Sequence, residues 1–94
     1  MTTPVPARPT PKPTDELLAE RATTHGDFAV HARVTQLIKE ALVSTGDSGK
    51  LSHVQREALD MIAHKMGRIV AGDPDHVDHW DDIAGYARLV SQRL

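Results

Sequence analysis

The residues with the most chemistry to offer crowd into one short segment. From Gly72 to Asp82 the chain reads GDPDHVDHWDD, with carboxylates at Asp73, Asp75, Asp78, Asp81 and Asp82 and imidazoles at His76 and His79. So many like charges in so few residues repel unless something offsets them. A helix beginning near Asp78 offsets part of the charge, because the positive end of its dipole favours acids there. That accounts for Asp78 and Asp81. Asp82 is different: at about 100° per residue it lies roughly 40° from Tyr86, on the flank of an apolar stripe. A carboxylate beside a core needs a partner.

Lys65 is of the right type. It sits inside the apolar sector of the preceding segment, between Val54, Met61 and Ala58, Ile69. Such a lysine either snorkels its ammonium to water or is held across a helical hairpin against Asp82 or Asp78. Arg68 follows one turn later. Glu57, Asp60, His64 and Arg68 form the opposite polar stripe, whose plain reading is a solvated face with helical ion pairs. Two cations facing two carboxylates also suit a phosphate ligand, with Lys65 and Arg68 on the phosphates and Asp78 and Asp82 on Mg²⁺, since magnesium takes one or two carboxylates plus substrate phosphates. His76 and His79 with Asp78 or Asp82 offer a set for Zn²⁺ or Mn²⁺. The segment is not an EF-hand, and no His-Glu-x-x-His pair occurs. A second candidate segment is Thr24-His25-Gly26-Asp27-Phe28. Its glycine permits a sharp turn, Asp27 is suited to cap a helix, and His25 with backbone N–H groups at a helix start suits a phosphate.

Four helical stretches must position these groups. The first runs from about Asp15 to Ala22 behind Thr14, with two acids in its first turn. The second runs from Asp27 or Phe28 to Ser44, with Val30, Val34, Leu37, Ile38 and Ala41 at helical spacing. TGDSGK, residues 45–50, is a loop. The third opens on the capping box Ser52-His53-Val54-Gln55 and closes at Gly72; it is apolar over more than half its circumference, which calls for a second helix or a dimer partner. The fourth begins at Asp78 and runs to the C-terminus, with Trp80 anchoring the hairpin core and Gly85 marking the close approach of another helix. The reading is therefore an all-α compact domain of three to four helices over residues 14–94, packing as an oligomer, behind a disordered proline-rich tail over residues 1–13.

Composition narrows the function. Of the 94 residues none is cysteine, so disulfides and thiolate metal sites are excluded and a reducing compartment, the cytoplasm, is expected. No run is apolar enough to span a membrane, and the N-terminus lacks the apolar region of a secretory signal. A net charge of −2 and three aromatic residues (Phe28, Trp80 and Tyr86) argue against nucleic-acid binding.

The combination of a His-Gly-Asp-Phe turn, Ala-Leu-x-Met-Ile-x-x-Lys-Met-x-Arg-Ile and Gly-Asp-Pro-x-His-x-Asp-x-Trp-x-Asp-Ile-Ala-Gly-Tyr-Ala resembles a family of small phage and prophage proteins of unassigned function. The matching positions are Gly26, Asp27, Lys65, Arg68, His76, Asp78, Trp80, Asp82, Gly85 and Tyr86, over about residues 20–94. More distantly, the layout is similar to the all-α NTP pyrophosphohydrolases (MazG-like), which hold magnesium with acidic motifs on adjacent helices. This chain departs from those motifs, offering only Glu57 and Asp60, then Asp78 and Asp82. The resemblance implies a cytoplasmic helical homo-oligomer, in a host cell if phage-encoded. Taken with the lysine inside an apolar stripe facing an acidic helix start, the reading is a protein that binds a nucleotide or nucleotide-derived phosphate through Lys65, Arg68, His25, Asp27, His76 and Tyr86, with Mg²⁺ at Asp78 and Asp82 and hydrolysis as an extension. The alternative is a non-catalytic module that binds and inhibits a host protein, its Lys/Asp cluster an internal ion-pair network.

Overall fold

A computed structural model describes residues 14–94; the proline-rich segment read as a tail lies outside the described residues. The elements are α1 (Thr14–His25), α2 (Phe28–Thr45), a short 3-10 turn (Ser48–Lys50), α3 (His53–Ala71) and α4 (Val77–Ser91). Among the described residues there is no strand, so the fold is all-α as its periodicity predicts. None of these helices is long and apolar enough to cross a membrane.

The boundaries follow local chemistry. The Asp27 carboxylate accepts from the Ala29 and Val30 N–H groups at 2.7 and 3.3 Å and starts α2. Ser52 accepts from the Gln55 N–H at 3.1 Å while the Gln55 side chain accepts from the Ser52 N–H at 2.9 Å, the reciprocal capping box that opens α3. α4 stops at Ser91, short of the C-terminus, and the last residues form turns.

α3 is the centre, with α2 packed on one side and α4 on the other, and α1 resting on α2 and α3. The α2–α3 crossing is close because Gly67 removes a side chain. A Cβ there would overlap the Thr35 hydroxyl and stand 2.8 Å from His31 Nδ1. Ala63 completes the contact. The fully buried residues are accordingly small or polar: Ala58, Ala63 and Gly67 with His31, Thr35 and His79.

The large aliphatic side chains are elsewhere. Projected at about 100° per residue, α3 points Ala63 and Gly67 at α2, and Met61 and Lys65 at α4. That leaves two faces of the three-helix layer. One carries Glu57, Asp60, His64 and Arg68, with α1 lying over its end near His64. The other carries Leu59, Ile62 and Met66 from α3. The same projection adds Val30, Val34, Ile38 and Ala41 from α2 and Trp80, Ala84 and Ala87 from α4. This second face holds no Asp, Glu, Lys or Arg, and the described chain leaves it open.

Two expectations are corrected by that geometry. Trp80 does not anchor the hairpin core: it lies about 60° around α4 from the inward Ile83, is 54% exposed, and its indole N–H donates to the Pro74 carbonyl at 2.8 Å. Gly85 meets nothing within 4 Å of where its Cβ would stand, because it points away from α3. Gly72 ends α3 with a negative φ of −120° rather than the left-handed conformation, so its role is close approach.

Candidate functional site

Two inter-helix turns are stacked backbone on backbone. α1 ends at Gly26, whose φ of 78° lies in the left-handed region that glycine favours and whose N–H donates to the Ala22 carbonyl at 3.0 Å. A Cβ on Gly26 would run into the Ala71 carbonyl, and one on Gly72 into the Thr24 carbonyl. The Asp73 N–H donates to that Thr24 carbonyl at 3.1 Å and fastens the α1–α2 turn to the α3–α4 turn.

This junction brings distant histidines together. His25, the last residue of α1, places Nδ1 3.2 Å from Nε2 of His79, which is 1% exposed. The His76 ring packs edge-on against His79 at 4.7 Å between centroids and lies 6.2 Å from His25. One step away the His31 and His64 rings meet edge to face at 4.5 Å. One nitrogen of the His25–His79 pair must donate and the other accept, so the contact needs a neutral ring. Burial is the main cause holding both below the usual histidine range, and the charges of Arg68 and Lys65 add to it. A hydrogen bond to the Thr24 backbone partly offsets this at His79. His31 is lowered by burial and then Arg68, with the Gly67 backbone acting in the opposite direction, and His64 falls to about 4 by burial, with Arg68 and His31 next. His31 Nδ1 and the Thr35 hydroxyl are buried without a hydrogen-bond partner.

Between α1, the α1–α2 turn and α3 lies a cleft of about 520 Å³. Its wall carries Arg21, His25, His31, His64 and Arg68, with Leu18, Ala22 and the 79% exposed Phe28 as apolar surface and Asp27 beside them. Among the described residues neither arginine makes an ion pair. The Asp27 carboxylate occupies the first N–H groups of α2, so those donors are not open to a ligand.

Of the residues singled out by sequence, His25, Asp27 and Arg68 line this cleft, and His76 stands behind His25. Lys65 is held across the hairpin: its ammonium lies 2.8 Å from Asp82 Oδ2, with the lysine side chain 12% exposed and the aspartate 46%. That hydrogen bond is the first cause holding the Asp82 carboxyl below its ordinary value. Asp78 is exposed, 3.6 Å from His76. Tyr86 lines a separate groove with His53, Val54, Glu57 and Leu89. Among the described residues no group of three or more His, Cys, Asp or Glu is placed to hold a metal ion.

Arg21 and His31 were not singled out by sequence, Phe28 entered only as the end of the His25–Phe28 turn, and His64 only as part of a solvated stripe. The available signal was spacing. Arg21 and His25, Phe28 and His31, and His64 and Arg68 are i,i+4 or i,i+3 pairs, so each of three helices presents two of these groups on one face. The ion pair makes a testable asymmetry. Asp82→Leu leaves a nearly enclosed ammonium unpaired, whereas Lys65→Met leaves an acid that water reaches. Chemical denaturation is expected to show Asp82→Leu losing clearly more stability than Lys65→Met; equal losses would contradict it.

No curated protein and no solved structure matches the chain. The DUF6378 domain, a domain of unknown function, matches residues 13–93. That span takes in all four helices, both stacked turns and the cleft, and the chain belongs to the DUF6378 family.

Proposed function

We propose that the protein is a small-molecule binding protein whose cleft takes a phosphate-bearing ligand of nucleotide type. The observation that carries this is the convergence of Arg21 and Arg68, neither ion-paired among the described residues, on one cleft with histidines held neutral and an exposed Phe28. Arginine presents a planar fork of donors that matches phosphate. The imidazoles add N–H donors, and the Phe28 ring offers a face on which a base stacks. Lys65 contributes field rather than contact, because Asp82 holds it. Tyr86 lies outside this arrangement.

Magnesium enters as the counter-ion of the ligand's phosphates. Asp78 and Asp82, the pair suited to it by type, stand outside the cleft lining. Hydrolysis in the manner of the all-α NTP pyrophosphohydrolases asks for more carboxylates around the phosphates than Asp27 supplies, so binding without turnover is the reading favoured. A setting in a host cytoplasm would follow if the resemblance of its motifs to small phage and prophage proteins reflects its origin.

Titration of the full chain with a fluorescent nucleoside triphosphate in low salt, with and without Mg²⁺, tests it. We expect saturable binding that inorganic triphosphate displaces. Arg68→Gln is expected to weaken it at least tenfold, on the order of 1.5 kcal/mol for a charge-assisted contact, and Phe28→Ala to weaken the nucleotide but not inorganic triphosphate. Absence of binding at millimolar ligand, or binding indifferent to Arg68→Gln, would overturn the reading.

A further inference from the structure

The uncharged face of the three-helix layer has no counterpart among the described residues. A helical domain is stable as at least two layers packed around a shared core. Here α1 lies over the polar face, and the opposite face is open. Its side chains are not marginal: Val30, Met66 and Trp80 are 47%, 42% and 54% exposed. Inside the chain the only fully buried apolar side chains among the described residues are those of Ala58 and Ala63. No Leu, Ile, Val, Met, Phe or Trp of the described chain is fully enclosed, so part of the apolar surface whose burial drives folding is still open to water.

We infer that this face is the interface of a homodimer, with a second copy laid face to face on Val30, Ile62, Met66, Trp80 and Ala87, giving two three-helix layers around one core. Three observations favour a second copy over a foreign partner. The first is charge. In a two-fold interface each residue near the axis meets its own image, so any charged residue there would meet its like. A face drawn from three helices without one Asp, Glu, Lys or Arg meets that condition, and it offers no charged group by which a foreign partner would be steered or selected. The second is size. The face runs across three helices and carries exposed Val30, Met66 and Trp80 side chains, the breadth that a stable interface asks for. The third is availability. A chain with so little core of its own needs its cover as it folds, and another copy is present wherever the chain is made. The inference does not rest on the cleft, which opens on the other face.

Trp80, the only tryptophan, is the reporter. Sedimentation equilibrium of the full chain is expected to give twice 10.3 kDa, with Trp80 emission shifted to the blue and shielded from acrylamide, although the single chain exposes it. Met66→Glu should yield monomer or fail to fold. Met66→Lys should behave alike when alone. Mixing the two during refolding should restore a dimer with shielded Trp80, because the pair then meets as opposite charges. Glu57→Lys, on the polar face, should leave the dimer intact. A wild-type monomer at 100 µM order of concentration overturns the inference. So does any larger assembly in which acrylamide reaches Trp80 freely, or a 1:1 complex with another protein that forms in place of the dimer.

Discussion

Gly26→Ala is expected to cost the fold a large part of its stability, whereas the same substitution at Gly85 raises stability. Two penalties coincide at Gly26. Its φ of 78° disfavours any residue with a Cβ by about 1 kcal/mol. The new methyl would also overlap the Ala71 carbonyl. That oxygen belongs to backbone, in the last turn of α3, and it cannot retreat without parting the Thr24–Asp73 hydrogen bond that joins the two turns. Overpacking of this kind costs about 1–3 kcal/mol even where side chains can adjust. The sum is a large part of what a domain of this size commands. Gly85 is the counter-case: its Cβ would meet open space, and alanine is preferred in a helix interior by about 1 kcal/mol. Thermal melts by circular dichroism check both. We expect Gly26→Ala to lower the midpoint by at least about 10 °C and Gly85→Ala to raise it. Gly26→Ala melting like the native chain would show that the stacked turns do not hold the fold together.

The contrast between those glycines also marks what the sequence discloses. The starts of α2 and α3 were legible because their signals are local: Asp27 reaches N–H groups two and three residues on, and Ser52 and Gln55 bond each other three residues apart; α4, which has no side-chain cap, begins one residue before the Asp78 that its acids suggest. The Lys65–Asp82 pair was legible as one of two alternatives, since a lysine on an apolar stripe has few ways to be satisfied. The touching of Gly26 and Gly72 was not, because nothing in either turn encodes the other. The buried set was misjudged for a related reason. Hydrophobic spacing puts Val30, Ile62 and Trp80 inside, and in a two-layer helical packing they would be. Within the single chain the closest crossing falls at Gly67, so Ala63, Thr35 and His31 are enclosed instead. The cleft was hidden by the blandness of its parts. His64 reads singly as a polar position on a solvated face, Arg21 and His31 carry no motif of their own, and only the turn at Gly26 folds α1 back so that they converge.

Those imidazoles make the fold acid-sensitive below the ordinary histidine range. His25, His31, His64 and His79 all have proton affinities below the ordinary histidine value, with burial as the first cause in each and Arg68 acting on all four. In the unfolded chain they titrate near 6.5. Below that pH the unfolded chain takes up protons that the folded chain refuses, and stability rises with pH wherever the unfolded state binds more protons. The histidines therefore leave stability untouched above about pH 7 and remove it as pH falls from 6.5, for His64 down to about 4. Asp82 acts in a separate, lower window: its carboxyl is held below 3.8 by Lys65, so its contribution is lost only as pH falls past that value. Between pH 7.5 and 5 His64 alone accounts for on the order of 1 kcal/mol after allowance for its partial exposure, and the other three act in the same direction. A midpoint lower by about 5 °C or more at pH 5 than at pH 7.5 is expected, and His64→Gln should flatten the slope. A midpoint level across that range would show the rings to be protonated without penalty. The same experiment bears on the cleft. A polyphosphate seated against Arg68 would mask the cation that opposes protonation of these rings, so the ligand should protect most strongly at the acid end of the range.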